Sequence, residues 1–131
     1  MQPKLDMIGL VVKDMRASME FYRLLGLEFN LDQAGESHVE ATSGGMRVAL
    51  DTVSMMKQIY PEWTEPTGQR MNMAFLLDSP AEVDAAYKSV TEAGFEGFKE
   101  PWDAFWGQRY AVVTDPDGNH VDLFAALTEA A

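Results

Sequence analysis

The sequence predicts an α+β fold built from two βαβββ modules, and three observations carry that prediction. Short β-rich runs and amphipathic segments follow the order strand, helix, three strands, and the order occurs twice. The halves share their punctuation: Asp14 and Asp78 follow the first strands, and Gly26 and Gly94 follow the helices. Hydrophobic residues make up 47% of the 131, and 11% are aromatic, enough to fill a core and to exclude disorder.

The first module opens with Ile8-Gly9-Leu10-Val11-Val12, a β-rich run ending at Lys13-Asp14. Asp14 suits a helix N-cap, and Met15–Leu25 follows with Met15, Met19 and Tyr22 at helical spacing. Gly26 stands where a C′ glycine ends a helix. Three strand-like runs come next, Leu27–Leu31, His38–Thr42 and Met46–Asp51, with Ser43-Gly44-Gly45 as a hairpin signal between the last two.

The second module starts at Met71, with a strand over Met73–Leu77. Ser79, Pro80 and Glu82 form a capping-box start, and Val83, Ala86, Tyr87 and Val90 give the helix its apolar stripe up to Gly94. Strand-like pieces recur at Phe95–Phe98, Gln108–Thr114 and His120–Ala125. The last two are joined by Asp115-Pro116-Asp117-Gly118-Asn119, a tight-turn sequence. Residues 52–70 connect the modules and carry Met55, Met56, Tyr60 and Trp63, so they are expected to pack down, with a short helix near Met55–Tyr60. The expected division is one domain over 1–131, with module 1 at about 5–51, the connecting segment at 52–70 and module 2 at about 71–127.

Ten Lys+Arg against 21 Asp+Glu give a net charge of −11, a field that repels phosphate backbones and speaks against nucleic acid as a partner. The lack of cysteine excludes disulfides, thiolate metal sites and cysteine nucleophiles. No apolar run approaches the ~20 residues that span a bilayer, and Met1-Gln2-Pro3-Lys4 opens no signal-peptide stretch. A cytoplasmic protein for a small ligand or a protein partner, with no membrane partner, is expected.

Alternation splits the strands into faces. Ile8, Leu10 and Val12 oppose Met7, Gly9 and Val11; Val48 and Leu50 oppose Arg47, Ala49 and Asp51. Met73, Phe75 and Leu77 oppose Asn72, Ala74 and Leu76; Val121 and Leu123 oppose His120, Asp122 and Phe124. The purely apolar sets belong under the helices. The mixed sets describe either a partly polar pocket or an ordinary solvated sheet face.

Four phrases resemble the vicinal oxygen chelate superfamily, which includes glyoxalase I, extradiol dioxygenases, fosfomycin-resistance enzymes and bleomycin-binding proteins. They are Ile8-Gly9-Leu10-Val11-Val12-Lys13-Asp14, Met19-Glu20-Phe21-Tyr22-Arg23-Leu24-Leu25-Gly26, Trp106-Gly107-Gln108-Arg109 and Asp115-Pro116-Asp117-Gly118-Asn119. The resemblance implies paired βαβββ modules whose sheets curve around a cavity, usually within a homodimer. It also implies metal ligands (His, Glu or Gln) at four inner-face positions, here Met7, Ala49, Asn72 and Asp122.

Those residues suit a divalent ion poorly. Ala49 has no donor atom, Met7 offers a soft thioether, Asn72 is a neutral amide, and a lone Asp122 supplies one of the roughly three protein ligands a catalytic site needs. A one-residue shift brings Asp6 to the Met7 position, and His120 could combine with Asp122 and Asp51. The expectation is nevertheless no metal, no cofactor and no assigned catalytic residue. His38 reads as a hydrated edge residue. His120, two residues from Asp122, has the better claim to chemistry, against a plain reading as a polar residue beside a turn.

Trp102, Phe105 and Trp106 crowd into five positions between two strands. Such a cluster is a local core, a dimer contact or a stacking wall for a flat ligand. In the resembled family the tryptophan of the Trp106-Gly107 phrase commonly packs near the cavity mouth. The expected ligand-binding set is Arg47, Trp63, Asn72, Trp102, Phe105, Trp106, His120 and Asp122. The function expected is metal-free binding of an aromatic or antibiotic-like molecule, akin to the bleomycin-binding branch. A metal-dependent lyase, isomerase or dioxygenase of the same superfamily is the alternative.

Overall fold

The structure, a computed structural model, describes residues 1–128. It divides into two compact units, Met1–Pro66 and Thr67–Ala131.

The first unit contains β1 (Met7–Val12), α1 (Met15–Leu24), β2 (His38–Ser43), β3 (Met46–Thr52) and α2 (Val53–Ile59). Its sheet has the order β1-β3-β2, with β1 parallel and β2 antiparallel to β3. Asp14 caps α1 by accepting from the Ala17 N–H at 3.0 Å. The helix buries Met15, Ser18, Met19, Phe21 and Tyr22. Gly44 and Gly45, at φ +56° and +84°, make the left-handed hairpin turn that only glycine adopts freely at both positions. That turn fixes the register that sets His38 opposite Asp51.

The run Leu27–Leu31, expected as a strand, forms none. Leu27 and Phe29 are instead sunk in the core at 2% and 1% exposure, and Leu31–Gln33 is a single 3₁₀ turn capped by Asn30. The Phe29 carbonyl accepts from the Arg23 side chain at 2.8 Å rather than from a neighbouring strand. Apolar anchoring therefore outweighs β-propensity in this segment. The helix expected at Met55–Tyr60 is α2, begun earlier by the Thr52 hydroxyl, which accepts from the Met55 N–H at 3.2 Å. Met55, Met56 and Trp63 are half-buried, whereas Tyr60 is exposed.

The second unit runs β4 (Met73–Leu76), α3 (Pro80–Glu92), β5 (Glu96–Ala104), β6 (Gln108–Thr114) and β7 (His120–Ala126), a full βαβββ sequence. The sheet order is β4-β7-β6-β5, with β4 parallel to β7 and the other pairs antiparallel. Ser79 accepts from the Glu82 N–H at 3.3 Å, and the Glu82 carboxylate accepts from the Asp78 N–H at 2.8 Å, so the capping box closes one residue further out than the motif predicts. Val83 and Val90 of α3 and Ala111, Val113, Val121, Leu123 and Ala125 of the sheet are all fully buried. Gly97 lets α3 approach β5: a Cβ there would lie 2.1 Å from the Tyr87 hydroxyl.

The aromatic stretch is less of a loop than the sequence predicts. With two register shifts, β5 continues through Pro101 to Ala104, so Trp102 is a strand residue paired with Tyr110. Phe105-Trp106-Gly107 makes the turn, with Gly107 at φ +89°. Between β6 and β7, the 4%-exposed Asp115 organises the turn: one carboxylate oxygen accepts from the N–H groups of Asp117 and Asn119 at 2.9 and 2.8 Å, the other from the Asn119 amide at 2.9 Å. Replacing Asp115 with Ala strands these donors, so Asp115→Ala should lose about 2 kcal/mol of stability, read by denaturant unfolding. A loss under a few tenths would mean that the backbone alone holds the turn.

Candidate functional site

In the second unit the face of the sheet away from α3 carries Tyr110, His120, Asp122 and Phe124. Register places Ala74, Asp122 and Val112 side by side, with Thr114 beside His120 and Tyr110 beside Phe124. Asp122 is only 8% exposed. Its Oδ2 accepts from the Asn72 amide at 2.7 Å and from the Tyr110 hydroxyl at 2.5 Å. Both donors are neutral, and among the described residues Asp122 forms no ion pair. Burial first, and then the bond to Asp122, pushes the Tyr110 hydroxyl up to about 12, so it stays a donor throughout the physiological range.

Asn72, His120 and Asp122 line a pocket of about 290 Å³ together with Gln69, Arg70, Met71, Phe98 and Val112. This is near the lower end of the volumes usual for small-molecule sites. Gln69 closes one edge by donating to the Gly118 carbonyl at 2.6 Å and accepting from the His120 N–H at 3.2 Å. The Phe98 ring, 57% exposed, lies against the His120 imidazole with centroids 4.3 Å apart. Thr114, beside His120, has a buried hydroxyl with no hydrogen-bond partner among the described residues.

The expected aromatic residues gather around Tyr110 rather than in the pocket. Trp102, Trp106 and Phe124 have ring centroids 5.6, 5.3 and 6.0 Å from that of Tyr110. Phe105 touches Trp106 at 5.0 Å and is 96% exposed. Tyr110 is the link, its ring in the cluster and its hydroxyl on Asp122. Lys99 sits over the Trp102 ring at 4.4 Å.

Arg47 and Trp63 lie in the first unit. Arg47 donates to Asp6 at 2.7 Å and to Glu40 at 2.9 Å. The sequence reading missed the partner of this pair. His38 bonds Glu40 through Nε2 at 2.7 Å and Asp51 through Nδ1, so a chain of polar side chains crosses one sheet face from Asp6 to Asp51. The signal was the Gly44-Gly45 hairpin, whose register aligns His38 with Asp51 and Thr42 with Arg47. Glu40 and then Asp51 hold the imidazole above its ordinary pKa; His38 and then Arg47 hold Glu40 below its own.

The donor set does not fit a divalent ion. Met7 and Ala49 face the same side of β1 and β3 and bring no hard donor. Asp6 is taken by Arg47, and Asp51 by His38. Asn72 and Asp122 bond each other. Among the described residues no three His, Cys, Asp or Glu side chains converge on a metal position.

Because His38 has a raised pKa in the fold, its stabilising effect is complete below about pH 6.5, its unfolded value, and fades as pH rises through the folded value. The stability gap between wild type and His38→Gln should therefore be wider at pH 5.5 than at pH 8.5 in paired unfolding curves. Equal gaps would remove the imidazolium from this role.

Residues 4–123 match the Glyoxalase/Bleomycin resistance protein/Dioxygenase superfamily. The chain is 29% identical over 127 residues to the uncharacterized protein YraH of Bacillus subtilis (strain 168), covering 95% of this chain and 99% of that protein. Its structure is similar to that of a glyoxalase/bleomycin resistance protein/dioxygenase from Nocardioides, with TM-score 0.76 and 27% identity over 99% of this chain and 87% of the other. It is also similar to a family enzyme from Burkholderia phytofirmans PsJN, with TM-score 0.84 and 18% identity over 95% and 100%. No helix among the described residues is long and apolar enough to cross a membrane. With the match spanning both units, the chain belongs to the Glyoxalase/Bleomycin resistance protein/Dioxygenase superfamily.

Proposed function

We propose that this chain is a metal-free binding protein of its superfamily, holding a small aromatic or antibiotic-like molecule without transforming it. One observation carries the reading. The Asn72 amide donates directly to Asp122, joining two of the positions that the family resemblance assigns to metal ligands. The Asn72 N–H and the Tyr110 O–H both fall on Oδ2 of Asp122, so two of the four positions are spent on each other and the remaining two, Met7 and Ala49, offer no hard donor to complete a metal site. Binding by surface complementarity needs no activated group, and the pocket beside this carboxylate offers one ring surface, Phe98 against His120. The nearby Trp102 and Trp106 give a spectroscopic handle, since Tyr110 connects them to Asp122.

The same reading places the protein in the cytoplasm as a homodimer. The outer strands β1, β2, β4 and β5 leave sheet edges, and Leu76 on β4 is 73% exposed.

The experiment is a titration with a panel of planar aromatic compounds, followed by tryptophan fluorescence, together with metal analysis of protein purified without chelators. A saturable response and well under one metal ion per chain are expected. Near-stoichiometric Ni, Zn, Mn or Fe that disappears in Asp122→Ala would overturn the reading in favour of a metal-dependent lyase, isomerase or dioxygenase. Absence of any saturable response across the panel would count equally against it.

A further inference from the structure

Resting on that reading, we infer that the pocket of the second unit selects a ligand with a positively charged nitrogen (an ammonium or amidinium) attached to a planar ring, and that Asp122 supplies the counter-charge. The argument starts from an imbalance. A carboxylate that is 8% exposed has lost most of its hydration, and a buried charge is ordinarily met by a cation or a metal. Here it is met by an amide and a phenol. Neither donor neutralises it, and both bonds fall on Oδ2, so Oδ1 carries neither of them. A ligand N⁺–H donating to Oδ1 would add the missing charge without displacing either existing bond.

The rest of the lining fixes the remainder of the ligand. Phe98 projects from the register irregularity between Gly97 and Lys99 and presents a largely exposed ring to the pocket, tilted 35° against His120. A flat ring stacked there and a cationic nitrogen at Asp122 make two complementary contacts within one small site. Arg70 also lines the pocket and is exposed, so an anionic ligand is the opposing possibility that the experiment must separate. The position of Asp122 decides against it, because an anion drawn to Arg70 would be brought close to an uncompensated carboxylate.

The test uses the whole protein and three probes sharing one ring at pH 7.5: 4-aminoquinoline, which is cationic, quinoline, which is neutral, and quinoline-4-carboxylate, which is anionic. Affinities are measured by calorimetry. The cation should bind about tenfold or more tightly than quinoline, and the carboxylate most weakly. Asp122→Asn, which keeps the shape and an acceptor oxygen, should bring the affinity ratio of cation to quinoline, both measured on the variant, close to one. Phe98→Ala, at a position that is 57% exposed, should weaken the cation and quinoline alike and so preserve their ratio. Equal affinities for cation and quinoline, a preference that survives Asp122→Asn, or tightest binding of the carboxylate would each overturn the inference while leaving aromatic binding intact. If none of the three binds although the broader aromatic panel saturates, this pocket is not the site; if neither saturates, the binding reading falls as well.

Discussion

A carboxylate placed in the middle of a sheet must be answered by donors, and the strand arrangement of the second unit is what supplies them. Asp122 lies on β7, an interior strand, flanked directly by Ala74 and Val112. Those neighbours lack polar side-chain atoms, so the donors come from diagonal positions: Asn72 just ahead of β4 and Tyr110 two residues before Val112 on β6. Three strands are thereby tied at one oxygen. On the opposite face, under α3, Ala111, Val113, Val121, Leu123 and Ala125 are fully buried, with Arg109 at the margin of that face bonded to Asp84 of the helix, so the apolar packing lies on the side away from Asp122.

The first unit handles its polar face differently. At the corresponding strand positions stand Met7 and Ala49, which contribute nothing polar, and the charge has moved to the neighbouring hairpin. There Asp6, Arg47, Glu40, His38 and Asp51 are linked in one chain of alternating sign when the imidazole is protonated. These groups satisfy one another, whereas Asp122 is met by two neutral donors and forms no ion pair among the described residues. The candidate pocket described above lies beside Asp122 in the second unit.

Much of this was legible in the sequence, and the limits have identifiable causes. Strict alternation assigned Met7, Ala49 and Asp122 to faces that the register reproduces, because a period of two leaves no freedom once one side is buried, while Asn72 falls just ahead of β4 and outside its ladder. Capping by Asp14 and Ser79 was equally readable, since those bonds are local. Leu27–Leu31 misled because its β-forming side chains serve as core anchors, which only tertiary packing decides. Tyr110, Phe98 and the link from His38 to Asp51 were missed because each depends on which residue lies across a ladder or at a bulge, and a single strand does not contain that information. The aromatic residues were found, but their grouping around Tyr110 outside the pocket lining was not.

The strand order carries a consequence for how such a site comes into being. In each unit the opening strand lies parallel to the closing one, β1 against β3 and β4 against β7, so its hydrogen-bonding partner is translated last. On the ribosome Asn72 therefore emerges well before Asp122, and the contact between them forms only when β7 has joined the sheet. A nascent or prematurely terminated chain lacking β7 would own every aromatic residue from Phe98 to Tyr110 and still have no anchor for a charge.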